Sequence, residues 1–414
     1  MEQQHVDQDR RLQALIYEKK LNMSRQLALI NGQTLRLLRE SKRVSHEYLE
    51  KKCGPSASLI QLWEEDLGED YPTMRQAEKL AETLQVPLAG LYLEPNNLPV
   101  RALPNSTNMR RFENGRFPDD SSLNLAIDWL LSLREEIIEI RDELSIPNIR
   151  TSFPALDKDP QTAAYQLRNY FGFTFEEQRK SKSRRQLFLL LRKLIESKGV
   201  LLAQYNGVEL ETARGISVYF DIIPIIGVNI TDHAPAMSFT AIHELVHLTQ
   251  RASTVCNQMG TNTISKEEVF CNAVAGEFLV PRADLIRILK DDDPLSLEVT
   301  EKIASMFSVS RDVISRRFYD LGFIDKRQYE SMLEFYDSEA KAKREEERLK
   351  RETGIESSFF GLSAEKKVAD KFGSVYCESI LRGIENGLYS EYDAGKKLNI
   401  NEGKLRDVFR EALK

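Results

Sequence analysis

The string His-Glu-Leu-Val-His at residues 243–247 is the feature that most constrains how this chain folds. It lies in a largely apolar stretch, SFTAIHELVHLTQRA, that is typical of a packed helix. Residues four apart lie on one face of a helix, with Cβ atoms about 5–6 Å apart, so the imidazoles of His243 and His247 point the same way. The spacing therefore predicts a helix that presents two rings to one metal ion.

The residue between them suits metal-assisted hydrolysis. Glu244 lies one step, about 100°, around the helix, where it can face the open coordination position and accept a proton from metal-bound water. Zinc lowers the pKa of such a water to about 7 and polarises a scissile carbonyl. The chain has only five histidines, so this pattern arises by chance in roughly 0.006 of such chains. The alternative is a pair of surface histidines on an amphipathic helix.

A catalytic zinc site needs a third protein ligand, and the next helix, SKEEVFCNAVAGEFLV, offers Glu267, Glu268 and Glu277. Glu268 shares a helix face with Cys271 and with small residues, as a wall packed against the histidines requires. We therefore predict Glu268 as the ligand. Two alternatives stay open: Glu268 forms a capping box with Ser265, or Glu267 carries the metal instead.

Two further side chains near the motif have competing explanations. Cys271 is able to bind zinc as a thiolate, but a small buried hydrophobic residue is the commoner role of such a cysteine. His233 lies in a DHAP turn before the motif helix. There it either orients substrate, stabilises an oxyanion or is simply solvated.

Length and composition indicate a cytoplasmic protein of several domains. The 414 residues exceed the roughly 250–300 at which one core stops growing. No run approaches the ~20 apolar residues of a membrane span, and the N-terminus lacks a secretory pattern. The four cysteines are far apart, which predicts reduced thiols. A net charge of −6 gives no global attraction to nucleic acid.

The chain divides into four predicted regions, and the predicted fold class is α+β, mainly α. Residues 1–108 form a helical module with a helix-turn-helix. Residues 119–330 form the core, where the β-type runs VLLAQYN, GISVYFD and IPIIGVNI predict a small sheet. The polar stretch STVCNQMGTNTI is predicted as a loop. Residues 331–362 are typical of a charged connecting helix, and residues 363–414 form a C-terminal helical module.

The core residues resemble the ImmA/IrrE family of metallopeptidases. The matching stretches are GISVYFDIIPIIGVNITDHAPAMSFTAIHELVHL and EEVFCNAVAGEFLVP. In that family an FT-x-x-HE-x-x-H helix is followed by a helix with an acidic ligand and a C/A-N…A…LxP signature. The resemblance implies a zincin-like core that holds Zn²⁺ with His243, His247 and Glu268, and uses Glu244 as the base. IASMFSVSRDVISRRFYDLG is similar to the helix-turn-helix that follows this core.

The N-terminal region resembles the phage-repressor-like (XRE) helix-turn-helix, through QTLRLLRESKRVSHEYLEKKC, SASLIQLWEED and YPTMRQAEKLAETLQVPLAGLYLEP. The two resemblances together imply the XRE–ImmA/IrrE architecture, whose members occur as transcriptional regulators and beside toxin genes. However, SASLIQLWEED offers Gln61 but no basic side chain, and the carboxylates within residues 64–70 would repel DNA phosphates. The module is therefore either a DNA-binding or a protein-docking module, and no DNA-binding residue is assigned.

We predict a zinc-dependent endopeptidase that acts as a regulatory protein and cleaves a specific protein partner, such as a transcriptional repressor. The alternative is a DNA-binding transcriptional regulator, or the antitoxin of a toxin–antitoxin pair, with a vestigial or structural metal site. The expected partners are thus a repressor or a toxin, DNA in the second case, and no membrane.

Overall fold

The computed structural model describes residues 26–65, 70–98, 120–148, 150–256, 266–352 and 362–414. Within these ranges the chain is mainly helical with one small sheet, so the predicted α+β, mainly α class is confirmed. Among the described helices, none combines the length and the apolar character that spanning a bilayer demands. The chain forms two compact units: residues 1–110 with 115–132, and residues 111–114 with 133–414.

The N-terminal unit is built from short helices: α1 (Gly32–Ser41), α2 (His46–Cys53), α3 (Ala57–Glu64) and α4 (Met74–Thr83). The last three of these helices each begin after a polar capping residue. The hydroxyls of Ser45, Ser56 and Thr73 each accept a backbone N–H in the first turn of the helix that follows. Gly54, in the left-handed conformation at φ 101°, ends α2. Three residues join α2 to α3, which is the turn length of a helix-turn-helix.

The second unit contains about half of a long helix and three shorter helices before its sheet. These are α5 (Ser121–Glu143), which begins among residues of the first unit, α6 (Pro160–Phe171), α7 (Phe175–Arg179) and α8 (Arg184–Glu196). The sheet and its flanking helices follow: β1 (Leu201–Tyr205), β2 (Gly215–Val218), β3 (Ile225–Asn229), α9 (Ala234–Thr249), β4 (Thr254–Cys256) and α10 (Lys266–Leu279). The three predicted β-type runs thus become β1, β2 and β3.

The strands are ordered β1-β3-β2-β4. β1 pairs with β3 in parallel, whereas β2 pairs antiparallel with both β3 and β4. Every residue of β1, β2 and β3 is buried, which explains their continuous apolar runs. β4 corrects the prediction of a loop between α9 and α10, because pairing with β2 orders the start of this polar stretch as a strand.

Helices complete the chain after α10. They are α11 (Arg282–Leu289), α12 (Leu297–Phe307), α13 (Arg311–Asp320), α14 (Lys326–Glu352), α15 (Ala364–Glu385), α16 (Glu391–Leu398) and α17 (Leu405–Ala412). Three residues also join α12 to α13. α15 packs against β1 and against α17.

α15 is anchored to the sheet where it is broken at Gly373 (φ 81°, ψ 172°). Glu196 accepts hydrogen bonds there from the backbone N–H (3.1 Å) and the hydroxyl (2.6 Å) of Ser374. Arg192 donates to the carbonyl of Leu202 on β1 (2.7 Å). A Cβ at position 373 would lie 2.2 Å from both Arg192 and Glu196, so only glycine fits. The C-terminal helices therefore pack along the β1 side of the sheet, and β4 forms its other edge.

Candidate metal centre

The motif helix α9 begins at Ala234, four residues before the stretch that the sequence predicted. Pro235 lies in its first turn, where proline is favoured because its missing N–H has no helical partner anyway. The helix runs through the core, so that His243, Glu244 and His247 are at most 2% exposed. Polar groups this deeply buried need partners, and the next helix and the sheet provide some of them. Within the described ranges, Nδ1 of His243 and Oε1 of Glu244 have no hydrogen-bond partner.

Three side chains, those of His243, His247 and Glu268, bring their ligand atoms together. The Nε2 atoms of His243 and His247 are 3.1 Å apart. Each Nε2 is also 3.1 Å from a different carboxylate oxygen of Glu268 on α10. Ligand atoms around a tetrahedral zinc ion, with bonds of 2.0–2.2 Å, are about 3.3 Å apart. The spacing of these atoms therefore fits one small metal ion.

The chemistry of the donors fits zinc as well. Two imidazole nitrogens and one carboxylate form the His₂Glu set that holds a catalytic zinc, whereas structural zinc sites have four protein ligands. Glu268 has a side chain that is 33% exposed, so the cluster reaches the surface on the side of this residue. In the described part of the chain this is the one group of three or more metal-binding side chains with such spacing.

The other two acidic residues of α10 lie elsewhere. Glu267 is exposed and does not join the cluster. Glu277 forms a buried ion pair with Arg317, and its second oxygen accepts the backbone N–H of Arg282 at 2.8 Å. Of the three carboxylates on this helix, the structure thus brings Glu268 to the histidines. Arg317, at the end of α13, is committed to this pair and is unable to reach a partner molecule.

Cys271 contacts the rear of His247. Its Sγ atom lies 3.7 Å from Nδ1, the ring nitrogen opposite the one that faces Glu268. Burial raises the pKa of the Cys271 thiol. The thiol therefore favours its protonated form, and it lies where the outer partners of metal-bound histidines lie. The capping residue weighed for Glu268, Ser265, lies outside the described residues.

The two carboxylate oxygens of Glu244 differ in their hydrogen-bond partners. Oε2 accepts a hydrogen bond from the Thr254 hydroxyl on β4 at 3.2 Å. Oε1 is buried and has no hydrogen-bond partner in the described ranges. A Cβ on Gly215 would lie 2.2 Å from Oε1, so the glycine leaves the space that this carboxylate occupies. Sequence reasoning missed Gly215 and Thr254, and the only signal was the β-branched pair Thr254–Val255 in the predicted loop.

His233 is placed away from the cluster. It is the residue before α9, about 15 Å along the helix from His243 at 1.5 Å per residue. Its side chain is 65% exposed, and its Nδ1 lies 2.9 Å from the buried carboxylate of Asp232. Asp232 in turn accepts a hydrogen bond from Arg214 at 2.7 Å.

Without a metal, the cluster retains protons. Burial lowers the pKa of His247, but contacts with Cys271 and Glu268 outweigh burial and raise it to about 10. Burial raises the pKa of Glu268, yet hydrogen bonds from His243 and His247 outweigh it and hold this pKa well below its usual range. A metal ion must therefore displace a proton from His247 when it binds.

Comparison with known proteins gives one match. Residues 201–319 match the model of the peptidase family M78, described as an IrrE N-terminal-like domain. No curated protein and no solved structure matches the chain. The matched range runs from β1 into α13 and includes His243, Glu244, His247 and Glu268. This part of the chain, the sheet with its two site helices, is therefore similar to an IrrE N-terminal-like domain of a metallopeptidase family.

Proposed function

We propose that this protein is a zinc-dependent endopeptidase that regulates another protein by cleaving it. The observation that carries the proposal is the cluster of His243, His247 and Glu268, in which the two Nε2 atoms are 3.1 Å apart and each is 3.1 Å from one oxygen of Glu268. The similarity of residues 201–319 to a metallopeptidase family supports the same chemistry.

In this proposal His243, His247 and Glu268 hold the zinc ion. Zinc, when bound, polarises the scissile carbonyl and makes the attacking water more acidic. Glu244 is the general base. Its Oε1 atom, which lacks a partner among the described residues, accepts the proton of the attacking water and then delivers it to the leaving amine. Burial of Glu244 keeps other waters away from this carboxylate.

A peptide substrate suits the edge of the sheet. β4 is the outermost strand of the described sheet, and its Thr254 contacts Glu244. An extended peptide that adds to an edge strand gains main-chain hydrogen bonds regardless of its sequence. A peptide bound along β4 would place its backbone near the base. This arrangement favours a protein substrate over a small molecule.

We propose that the N-terminal unit recruits the protein substrate, such as a repressor. Helix α3 exposes Ser58, Gln61 and Leu62, with Leu62 46% exposed, and it contains no basic residue. Such a face is better suited to a protein than to DNA phosphates. The helix-turn-helix of α2 and α3 also supports the second candidate, a DNA-binding regulator or antitoxin of the XRE type.

Metal analysis and proteolysis test the first proposal. Wild-type protein and Glu244→Gln should each hold one zinc ion per chain, whereas His247→Ala should hold none. With a proteome-derived peptide library as the probe, wild-type protein should cleave peptides, and Glu244→Gln should be about 10²–10⁴-fold slower. If the wild-type protein contains no stoichiometric divalent metal, the proposal is wrong.

A gel-shift titration tests the second candidate. The probe is the DNA upstream of the protein's own gene, at increasing salt concentrations. A DNA-binding regulator should bind with an affinity that falls steeply as salt rises. Absence of a shift at low salt would exclude this function.

A further inference from the structure

The base Glu244 lies at the end of a chain of buried hydroxyls. Ser217 on β2 and Thr254 on β4 are paired residues in the antiparallel register, and their hydroxyl oxygens are 2.8 Å apart. The Thr254 hydroxyl is in turn 3.2 Å from Oε2 of Glu244. Thr254 is 6% exposed, and the other two residues are fully buried. The sheet and the motif helix thus meet through polar groups at this point.

The direction of these hydrogen bonds follows from counting protons. The Thr254 hydroxyl is oriented to donate to Oε2 of Glu244, and each hydroxyl has one proton to donate. Thr254 therefore donates to Glu244, and Ser217 donates to Thr254. The two strands consequently fix Oε2 of Glu244 in one place.

The other oxygen of this carboxylate, Oε1, is confined by packing. Oε1 packs against Gly215, where a Cβ would lie 2.2 Å from it and 2.5 Å from Cγ2 of Thr240. Oε1 accepts no hydrogen bond within the described ranges. One oxygen of Glu244 is thus held by a donor, and the other is left without one. Rotation of the carboxylate about its Cγ–Cδ bond would exchange the two and break the bond from Thr254.

We propose that Thr254, supported by Ser217, is a positioning residue that holds Oε2 of Glu244 so that Oε1 is reserved for the proton of the attacking water. This inference rests on the proposed peptidase function. It differs from a purely structural link between β4 and α9, because a structural link would affect folding without affecting the chemical step.

A thermal cycle in metal-free protein tests the contact without any assay of activity. Thr254→Val removes the hydroxyl and keeps the shape, and we expect it to lower Tm by about 2–4 °C. In a Glu244→Met background, where no carboxylate remains, the same change should lower Tm by less than about 1 °C. Equal losses of Tm in the two backgrounds would show that Thr254 does not hold Glu244, and would overturn the proposal.

Kinetics test the positioning role. With a peptide selected from the library that wild-type protein cleaves, Thr254→Val should lower kcat by at least about tenfold. KM and zinc content should stay unchanged, and Thr254→Ser should restore most of kcat because it restores the donor. Wild-type kcat in zinc-loaded Thr254→Val would overturn the proposal.

Two further outcomes of these experiments also decide the proposal. If Thr254→Val does not fold, Ser217→Ala replaces it, with an expected loss of about threefold in kcat because it removes only the supporting donor. A wild-type rate in Ser217→Ala together with an unfolded Thr254→Val would overturn the proposal. If the wild-type protein cleaves no peptide, the proposed function fails, whereas the thermal cycle still decides whether Thr254 holds Glu244.

Discussion

One cluster in the N-terminal unit and one on the motif helix and α10 each combine histidine with carboxylate side chains, and they differ in how their charges are satisfied. In the N-terminal unit, Arg39 donates two hydrogen bonds to Glu64, at 2.6 and 2.9 Å, and His46 lies 3.0 Å from the same carboxylate. Glu64 has a side chain that is only 3% exposed. Its negative charge is therefore neutralised within the fold by a permanent cation.

Among the contacts of the described residues, the cluster of His243, His247 and Glu268 contains no arginine or lysine. Its rings face each other through Nε2 atoms, and both face one carboxylate. Neutral imidazole nitrogens and carboxylate oxygens at these positions are acceptors, which repel one another unless a proton or a metal ion lies among them. The first cluster is complete as folded, whereas the second is incomplete until a proton or a metal ion lies among its acceptors. This difference separates a structural ion pair from a binding site.

The largest expected effect comes from breaking the complete cluster. Arg39→Ala leaves the buried Glu64 without its main partner and should lower the free energy of unfolding of the N-terminal unit by about 3–5 kcal/mol. Denaturant titration followed by tryptophan fluorescence measures this effect, because both tryptophans, Trp63 and Trp129, belong to that unit.

The matched control is Arg36→Ala in the same helix. Arg36 pairs with Glu40 at the surface, where both side chains are about half exposed. Solvent screening makes such a pair weak, so the unfolding midpoint should not change. Equal midpoints for the two variants would mean that the buried pair does not stabilise the unit.

Removing a ligand from the incomplete cluster should lower the affinity for zinc. A structural zinc site of four ligands contributes about 10–16 kcal/mol, which corresponds to roughly 10²–10³-fold in affinity for each ligand. Glu268→Ala should weaken zinc binding by this factor in competition with a chromophoric chelator. Glu267→Ala, its neighbour on α10, is the control and should bind zinc as wild-type protein does. The opposite result would assign the third ligand to Glu267.

The parts of the site that follow from local periodicity could be predicted from the sequence. His243 and His247 share a face because the helical repeat places residues four apart together. The same repeat on α10 pointed to Glu268, although it left Glu267 open. A different local pattern, the continuous apolar run of a fully buried strand, predicted three of the four strands of the described sheet. These inferences needed no knowledge of how distant segments pair.

The rest of the site depends on pairing between distant residues. Gly215 and Thr254 reach Glu244 because β2 and β4 lie next to each other in the sheet. No local pattern encodes that register, and β4 is a short strand in a polar stretch. The exclusion of Glu277 likewise depends on Arg317, which is 40 residues later in the chain. Tertiary contacts of this kind are not visible in a single sequence.

A smaller effect should appear when zinc affinity is measured against pH. The pKa of His247 in metal-free protein is raised to about 10, so below that pH zinc must displace its proton. Affinity should therefore rise about tenfold per pH unit between pH 6 and 9. The raised pKa stabilises the metal-free fold below the unfolded value of about 6.5, and this stabilisation is lost as pH rises through about 10.

Chelator competition at pH 6, 7, 8 and 9, corrected for protonation of the chelator, measures this slope. Glu268→Gln removes the charge that helps His247 keep its proton, so its slope should be shallower near pH 8–9. A flat profile for the wild-type protein would show that His247 is neutral before zinc binds. The contrast between the complete and the incomplete cluster would then lose its electrostatic basis.

The smallest expected effect concerns the side chain behind His247. When Nε2 binds a metal, Nδ1 carries the proton and points it at Sγ of Cys271, 3.7 Å away. Cys271→Ala removes this acceptor and should weaken zinc binding by about tenfold or less, the lower end for outer partners of a metal ligand. Cys377→Ala is the control, because Cys377 is also a buried cysteine but lies outside the metal cluster. Equal zinc affinity in the two variants would show that Cys271 fills space without orienting the ring, and that the three ligands define the site without help from behind.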